Sequence, residues 1–254
     1  MELTYHIKLK SPKGKQAYRY LPKKFGGYFC VFIAKEIKHI VCVNSIIMIT
    51  LGISGVAGAG KDLFYSIISK YFKNKGLQAH RYALADELKK EIAPALINLY
   101  NVNINSCDRT VKNLYRPMLV FHGKIRRDAT EGRYWIEKLN QKIIAEKPNG
   151  IVCITDIRYD QYENDEVSWV KREMHGLLVH ISQFNIVNGE KIFRVGANEE
   201  ERKFDSILRS KADYKIEWER VSSSQSNAEE ILQKYVEDFL IWFEQNERYR
   251  YSVS

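Results

Sequence analysis

One stretch limits what this chain can fold into more than any other: "ITLGISGVAGAGKDLF", from Ile49 to Phe64. The run "SIIMITLGIS" leading into it, Ser45 to Ser54, is continuously apolar, as a strand buried on both faces of a parallel sheet must be. A glycine-rich turn follows, and then Leu63, Ile67, Ile68, Tyr71 and Phe72 recur at helical spacing, with Gly76 placed to end the helix. Strand, glycine turn and helix in that order commit the chain to an α/β layer architecture.

Within the turn, Gly55, Gly60 and Lys61 satisfy the spacing G-x-x-x-x-G-K in the strand–turn–helix setting that gives the motif its meaning. Glycines let the backbone curl so that successive N–H groups converge on phosphate oxygens, and the following helix adds free N–H groups and the positive end of its dipole. Gly55, Ala57, Gly58, Ala59, Gly60, Lys61 and Asp62 are therefore the candidate triphosphate-binding residues, with Lys61 a mobile point charge for the outer phosphates. Asp62 stands where serine or threonine usually ligates Mg²⁺. A carboxylate is also a hard oxygen ligand, and it equally suits a helix N-terminus.

Two further strand ends repeat the logic. "GIVCITDIR" places Asp156 at the carboxyl end of an apolar strand, the edge that faces the ligand crevice in a doubly wound sheet, with Arg158 two residues on. Asp156 is a candidate magnesium ligand of the second-acid type, or else a loop cap. "ALADELKKEI" places Asp86 and Lys89 at a strand end and first helical turn, either facing a substrate or forming an ordinary N-cap with a solvated face. "YRPMLVFHGKIRRD" supplies Arg116, Arg126 and Arg127 on one helical segment from about Thr110 to Arg127, with Pro117 expected to kink it. Guanidinium groups are what a catalyst moving phosphate between two polyanions needs, and which of the three acts on the transferring group stays open.

The rest of the chain alternates strands and helices. "AHRYALA" is a short strand, and Asp86 is expected to open a helix bent at Pro94. "GRYWIEKLNQKIIAEK" is a helix, a further helix is expected around Asp165 to Met174, and "LLVHIS" and "ADYKIEWE" are later strands. "QFNIVNGEKIFRVGANEEERK" has the composition of a hairpin or loop excursion, "SSSQSN" of a flexible cap, and "AEEILQKYVEDFLIWFEQ" of a closing amphipathic helix. The pattern implies an α/β, doubly wound, mainly parallel sheet with helices on both faces.

The net charge of +9 is unevenly placed. Nine basic residues against two acidic ones lie between Met1 and Ile47, so seven of the nine net charges sit there and the body is nearly neutral. Residues 1–47 read as a basic N-terminal extension before a domain over residues 48–254. Nucleic acid is a candidate partner only through that arm, whose plainer reading is a solvated extension. Cys30, Cys42, Cys107 and Cys153 show no metal-ligand spacing and no dense disulfide framework, and Cys153 reads as a small core hydrophobe; a reducing cytoplasm fits. No signal peptide is visible, and Lys35, Glu36 and Lys38 interrupt the apolar stretch from Tyr28 to Ile53, which argues against a membrane span.

Taken together, "GVAGAGKD", "ALADELKKE", "RPMLVFHGKIRRD", "YWIEKL", "TDIRYDQYENDE" and "KADYKI" appear in the order found in the phage-type deoxynucleoside monophosphate kinases of the P-loop nucleotide-kinase superfamily, which this chain resembles from Ile49 to Ile216. The resemblance implies transfer of the ATP γ-phosphate to a (deoxy)nucleoside monophosphate with Mg²⁺, in the cytoplasm (a host's, if the chain is viral), with a homodimer left open. It implies that Gly55 to Asp62 hold ATP–Mg²⁺, and that Asp156 supports the metal or the attacking phosphate. Asp86, Lys89, Arg116, Arg126, Arg127 and Arg158 would lie on the acceptor side, with acceptor-binding helices at about residues 100–147. A kinase of another phosphorylated metabolite and a nucleic-acid-associated ATPase or kinase are the alternatives.

Overall fold

The computed structural model describes residues 9–10, 16–17, 48–104, 109–220 and 228–246. The chain divides into two units, Met1–Ser45 and Ile46–Ser254. In the first, β1 (Leu9–Lys10) pairs antiparallel with β2 (Gln16–Ala17). The rest of the expected basic arm, with Cys30 and Cys42, lies outside the described residues, as do Cys107 and the "SSSQSN" segment.

The second unit is built on five parallel strands in the spatial order β4 (Ala79–Tyr82), β5 (Gly150–Ile157), β3 (Met48–Ser54), β6 (Leu177–Val187) and β8 (Tyr214–Glu219). The last stretch of β6 outruns its neighbours and pairs antiparallel with β7 (Glu190–Phe193), from Phe184↔Phe193 to Val187↔Glu190. The sheet is thus mainly parallel and doubly wound, as the alternating pattern predicts.

Its faces are covered by different helices. Leu51, Ile53, Val179 and Ile181 pack with α1 (Lys61–Asn74) and α7 (Ala228–Gln245), whose Phe64, Phe72, Phe239 and Phe243 are almost wholly buried and meet edge-on or tilted. Burying each such ring contributes roughly 1.5–3 kcal/mol. Val152, Ile154 and Leu178 face α2 (Leu84–Tyr100), α4 (Arg133–Glu146), α6 (Glu199–Lys211) and a short α5 (Glu166–Ser168) that widens into a π-helical turn, Trp169–Glu173. A third cluster, Ile92, Leu96, Ile104 and Tyr115, joins α2 to α3 (Arg109–Asp128). Gly76 ends α1 with φ at 76°, and the amide of Leu77 reaches back to Phe72 O.

Several local expectations change. α2 begins at Leu84 rather than Asp86; Pro94 lies inside it and Pro117 inside α3, as expected. The excursion after "LLVHIS" holds a full helix, α6, as well as the hairpin. Among the described residues, no helix is long and apolar enough to cross a membrane.

Candidate functional site

The site is built where β3 and β5 end side by side, with Ser54 next to Ile157. Beyond Ser54 the chain turns through Gly55–Gly60 into α1. Two of the glycines are dictated by space as well as by conformation. Gly55 has φ at 130°, and a Cβ there would lie 2.2 Å from Ile181 O; Gly60 has φ at 100°, and a Cβ would lie 2.7 Å from the Trp218 ring. Trp218, buried on β8, donates its indole N–H to Ala59 O at 2.8 Å, and Arg194, just after β7, donates Nε–H to Ala57 O at 2.9 Å. The loop is therefore gripped from outside by two residues that sequence reading missed. Their placement follows from strand register, which no local motif reports.

Lys61 folds over the loop and donates to Gly55 O (2.6 Å) and Val56 O (2.9 Å). Burial lowers its pKa to about 8 and Arg158 adds to the fall, while Glu201, Asp156 and Asp62 oppose it. Below the loop, Ser54 Oγ meets His180 Nδ1 at 3.0 Å. Burial holds that imidazole neutral, with a pKa of about 4, and its Nε2 has no hydrogen-bond partner.

Asp62, in the first turn of α1, points outward: its side chain is 88% exposed, makes no capping hydrogen bond and lies 3.8 Å from Arg81. Arg81 on β4 continues to Asp86 (2.9 Å), which also accepts from Lys89 (3.2 Å). These four residues form a string of alternating charges from the phosphate loop to α2. Asp86 is no N-cap; it lies inside the first turn of α2.

That helix is capped instead by Asp156. Its Oδ1 accepts from Leu84 N and its Oδ2 from Ala85 N, both at 2.8 Å, so β5 presents a buried carboxylate to the helix dipole of α2. It remains near enough to act on Lys61. Each carboxylate oxygen keeps a second lone pair for a metal-bound water. No group of three or more His, Cys, Asp or Glu residues is arranged to hold a metal ion among the described residues. The buried Asp156 and the exposed Asp62 are hard oxygen donors that would fit a Mg²⁺ brought in on phosphate oxygens and keeping most of its waters.

Adjacent arginines on a helix diverge by about 100°, and Arg126 and Arg127 do so. Arg127 turns inward to a buried fork on Asp165 (2.7 and 2.5 Å) and stacks on Tyr159, 3.9 Å from guanidinium carbon to ring centre. This corrects the expectation of a catalytic Arg127, because both terminal nitrogens are committed to an internal carboxylate. Arg126 turns outward over the Tyr134 ring and donates to Glu91. Glu91 also meets His122 at 3.0 Å and accepts from Tyr134 and Lys138; burial pushes its pKa up, but Lys138, Tyr134 and Arg126 outweigh it and hold the carboxyl down to about 2. Arg116 stands exposed on α3, three helical turns before Arg127 and so on the same flank.

Arg158 leaves the end of β5 with its guanidinium 3.8 Å from Glu201 of α6. Its own amide and that of Tyr159 donate to Glu166 Oε2 at 2.6 and 3.1 Å. Burial, followed by the repulsion of Asp165, raises the Glu166 carboxyl to about 8. Because the folded pKa lies above the ordinary 4.5, this group's contribution to stability is complete below 4.5 and disappears as pH climbs through 8. Between pH 6.5 and 8, His180 and Lys61 do not oppose this, since their windows lie at about 4–6.5 and 8–10.5. The wild-type melting temperature is expected to fall by a few degrees from pH 6.5 to 8. Glu166→Gln, which keeps an oxygen for both amides, should flatten that fall, and an unchanged slope in thermal melts would rule the assignment out.

No family model matches this chain, and no curated protein matches it. Among solved structures, shikimate kinase from Acinetobacter baumannii in complex with shikimate is similar to it at 10% sequence identity and a TM-score of 0.38, over 79% of this chain and 97% of that one.

Proposed function

We propose that this chain transfers the γ-phosphate of ATP to a (deoxy)nucleoside monophosphate. The observation that carries the reading is the glycine loop at the end of β3, with Lys61 lying across it and Asp156 and Arg158 at the end of the adjacent strand. The loop offers converging amides and the start of α1 for the triphosphate. Lys61 exchanges two carbonyl partners for phosphate oxygens, whose negative charge keeps its ammonium protonated at neutral pH.

The acceptor is a phosphate oxygen that is already anionic, so no strong general base is required. Catalysis is positioning and charge neutralisation. Arg158 meets a phosphate at the end of β5. Arg81 at the end of β4 and Asp86 and Lys89 at the start of α2 lie on the acceptor side, with Arg116 and Arg126 on α3, about 80° apart round its axis. Mg²⁺, held by the nucleotide beside Asp62 and Asp156, would neutralise charge on the outer phosphates. A homodimer and a polyanion contact through residues 1–47 remain part of the proposal rather than of the fold.

ADP release measured by a coupled assay, across all ribo- and deoxynucleoside monophosphates with Mg²⁺ and ATP, tests the reading. Turnover with one or a few of them at more than a hundredfold over the acceptor-free rate is expected. Turnover only with other phosphorylated metabolites would overturn the acceptor class. ATP hydrolysis stimulated by DNA, and lost on removing residues 1–47, would favour the nucleic-acid alternative.

A further inference from the structure

Arg158 shares its guanidinium with a residue that lies outside every motif of the phosphate loop. Glu201, in the first turn of α6, is a carboxylate whose side chain is only 14% exposed. One oxygen, Oε2, accepts from Ala197 N at 2.8 Å and closes the turn that leads into the helix. The other, Oε1, lies 3.8 Å from Arg158 Nη1. The helix does not need Glu201 as its cap, because Asn198 Oδ1 already accepts from the amide of Glu201 at 2.8 Å.

The turn also restrains where the carboxylate can go. A Cβ on Gly196 would lie 2.7 Å from Glu201 Cβ, so the turn packs closely against the base of that side chain, while the Ala197 amide fixes Oε2 and leaves Oε1 beside Arg158. A sheltered carboxylate needs a counter-charge, and the cations in reach are those expected to hold phosphate. The field of Glu201 extends to Lys61 as well. A phosphate group approaching Arg158 therefore has to draw the guanidinium from a carboxylate already beside it.

We propose that Glu201 is an affinity-setting residue, its carboxylate competing with bound phosphate for the guanidinium of Arg158. This rests on reading Gly55–Lys61 and Arg158 as one phosphate site, and it sets the affinity of that site for any polyphosphate, whatever the nucleotide.

The test titrates inorganic tripolyphosphate, followed by calorimetry, into the full chain as wild type, Glu201→Gln, Arg158→Gln and the double variant. Glutamine keeps an oxygen for Ala197 N and turns a neutral amide to Arg158. Glu201→Gln is expected to bind about two- to fivefold more tightly, the range for a partly exposed ion pair. Arg158→Gln should bind more weakly, and adding Glu201→Gln to it should bring clearly less gain than in the wild-type background, the remainder coming from Lys61. Glu201→Ala, a second variant in case the first is poorly folded, should share the gain. Equal or weaker binding by both Glu201 variants overturns the proposal, and so does an undiminished gain without Arg158. If the expected pattern appears while no acceptor supports ADP release, the kinase reading falls and the role of Glu201 stands. Tripolyphosphate binding to none of the proteins removes both.

Discussion

Lys61→Ala is expected to reduce ADP release by a thousandfold or more while leaving the fold and its melting temperature nearly unchanged. The two halves of that expectation have separate causes. Among the described residues Lys61 donates to Gly55 O and Val56 O alone, and truncating it to alanine is expected to open room for water to replace its ammonium at those carbonyls. Its pKa, lowered to about 8, shows that burial disfavours its charge, so the folded protein gains little from it. Removing it therefore costs stability little.

Turnover is different, because the charge on the transferring phosphoryl group develops where only a mobile cation can follow it. A single preorganised donor to such a group is worth about a hundred- to a thousandfold, and a full charge more. Lys61→Arg is expected to recover little, since a planar fork anchored at the same Cα cannot reproduce a compact ammonium against the loop. Steady-state ADP release and thermal melts on the same preparations check both parts. A folded Lys61→Ala protein with near-normal turnover would end the assignment of this loop to catalysis.

The same loop shows what a sequence can and cannot display. Gly55, Gly60 and Lys61 were legible because their task is local: a sharp turn between a buried strand and a helix leaves few alternatives. Asp156 was legible as an acid at a strand end, but its partners were not. Leu84 and Ala85 lie some seventy positions away, and only the pairing of β4 with β5 brings the start of α2 under that carboxylate. Trp218 and Arg194 were invisible for the same reason. α6 escaped notice because Phe204 and Leu208 are its only buried residues, one turn apart in an otherwise charged stretch, too few to set a helical rhythm. Its acids fell within the expected hairpin or loop excursion, yet Glu201 is sheltered against the turn it closes. Arg126 and Arg127 illustrate the converse limit: their spacing promised a pair, and helical geometry separates them.

That separation leads to the second large effect, on stability rather than turnover. Arg127→Ala is expected to destabilise the protein by about 3–5 kcal/mol, because it leaves the Asp165 carboxylate, which is wholly buried, without its counter-charge. The lower end is favoured. Asp165 still accepts from the amides of Gln161 (2.8 Å), Tyr162 (3.3 Å) and Glu166 (2.9 Å), which spread its charge over three dipoles. For a domain of this size, 3 kcal/mol corresponds to a melting temperature lower by roughly 6–12 °C. Arg127→Lys should fall between, keeping the charge and losing both the fork and the stacking on Tyr159. Because Asp165 and Glu166 together hold the backbone from Arg158 to Tyr162, turnover is expected to drop as well, through Arg158 losing its place. Denaturant unfolding separates this from a catalytic role: Arg127→Ala with wild-type stability and lost turnover would return the residue to the chemistry, whereas loss of stability in step with loss of turnover leaves it as the tie between α3 and the loop that carries Arg158.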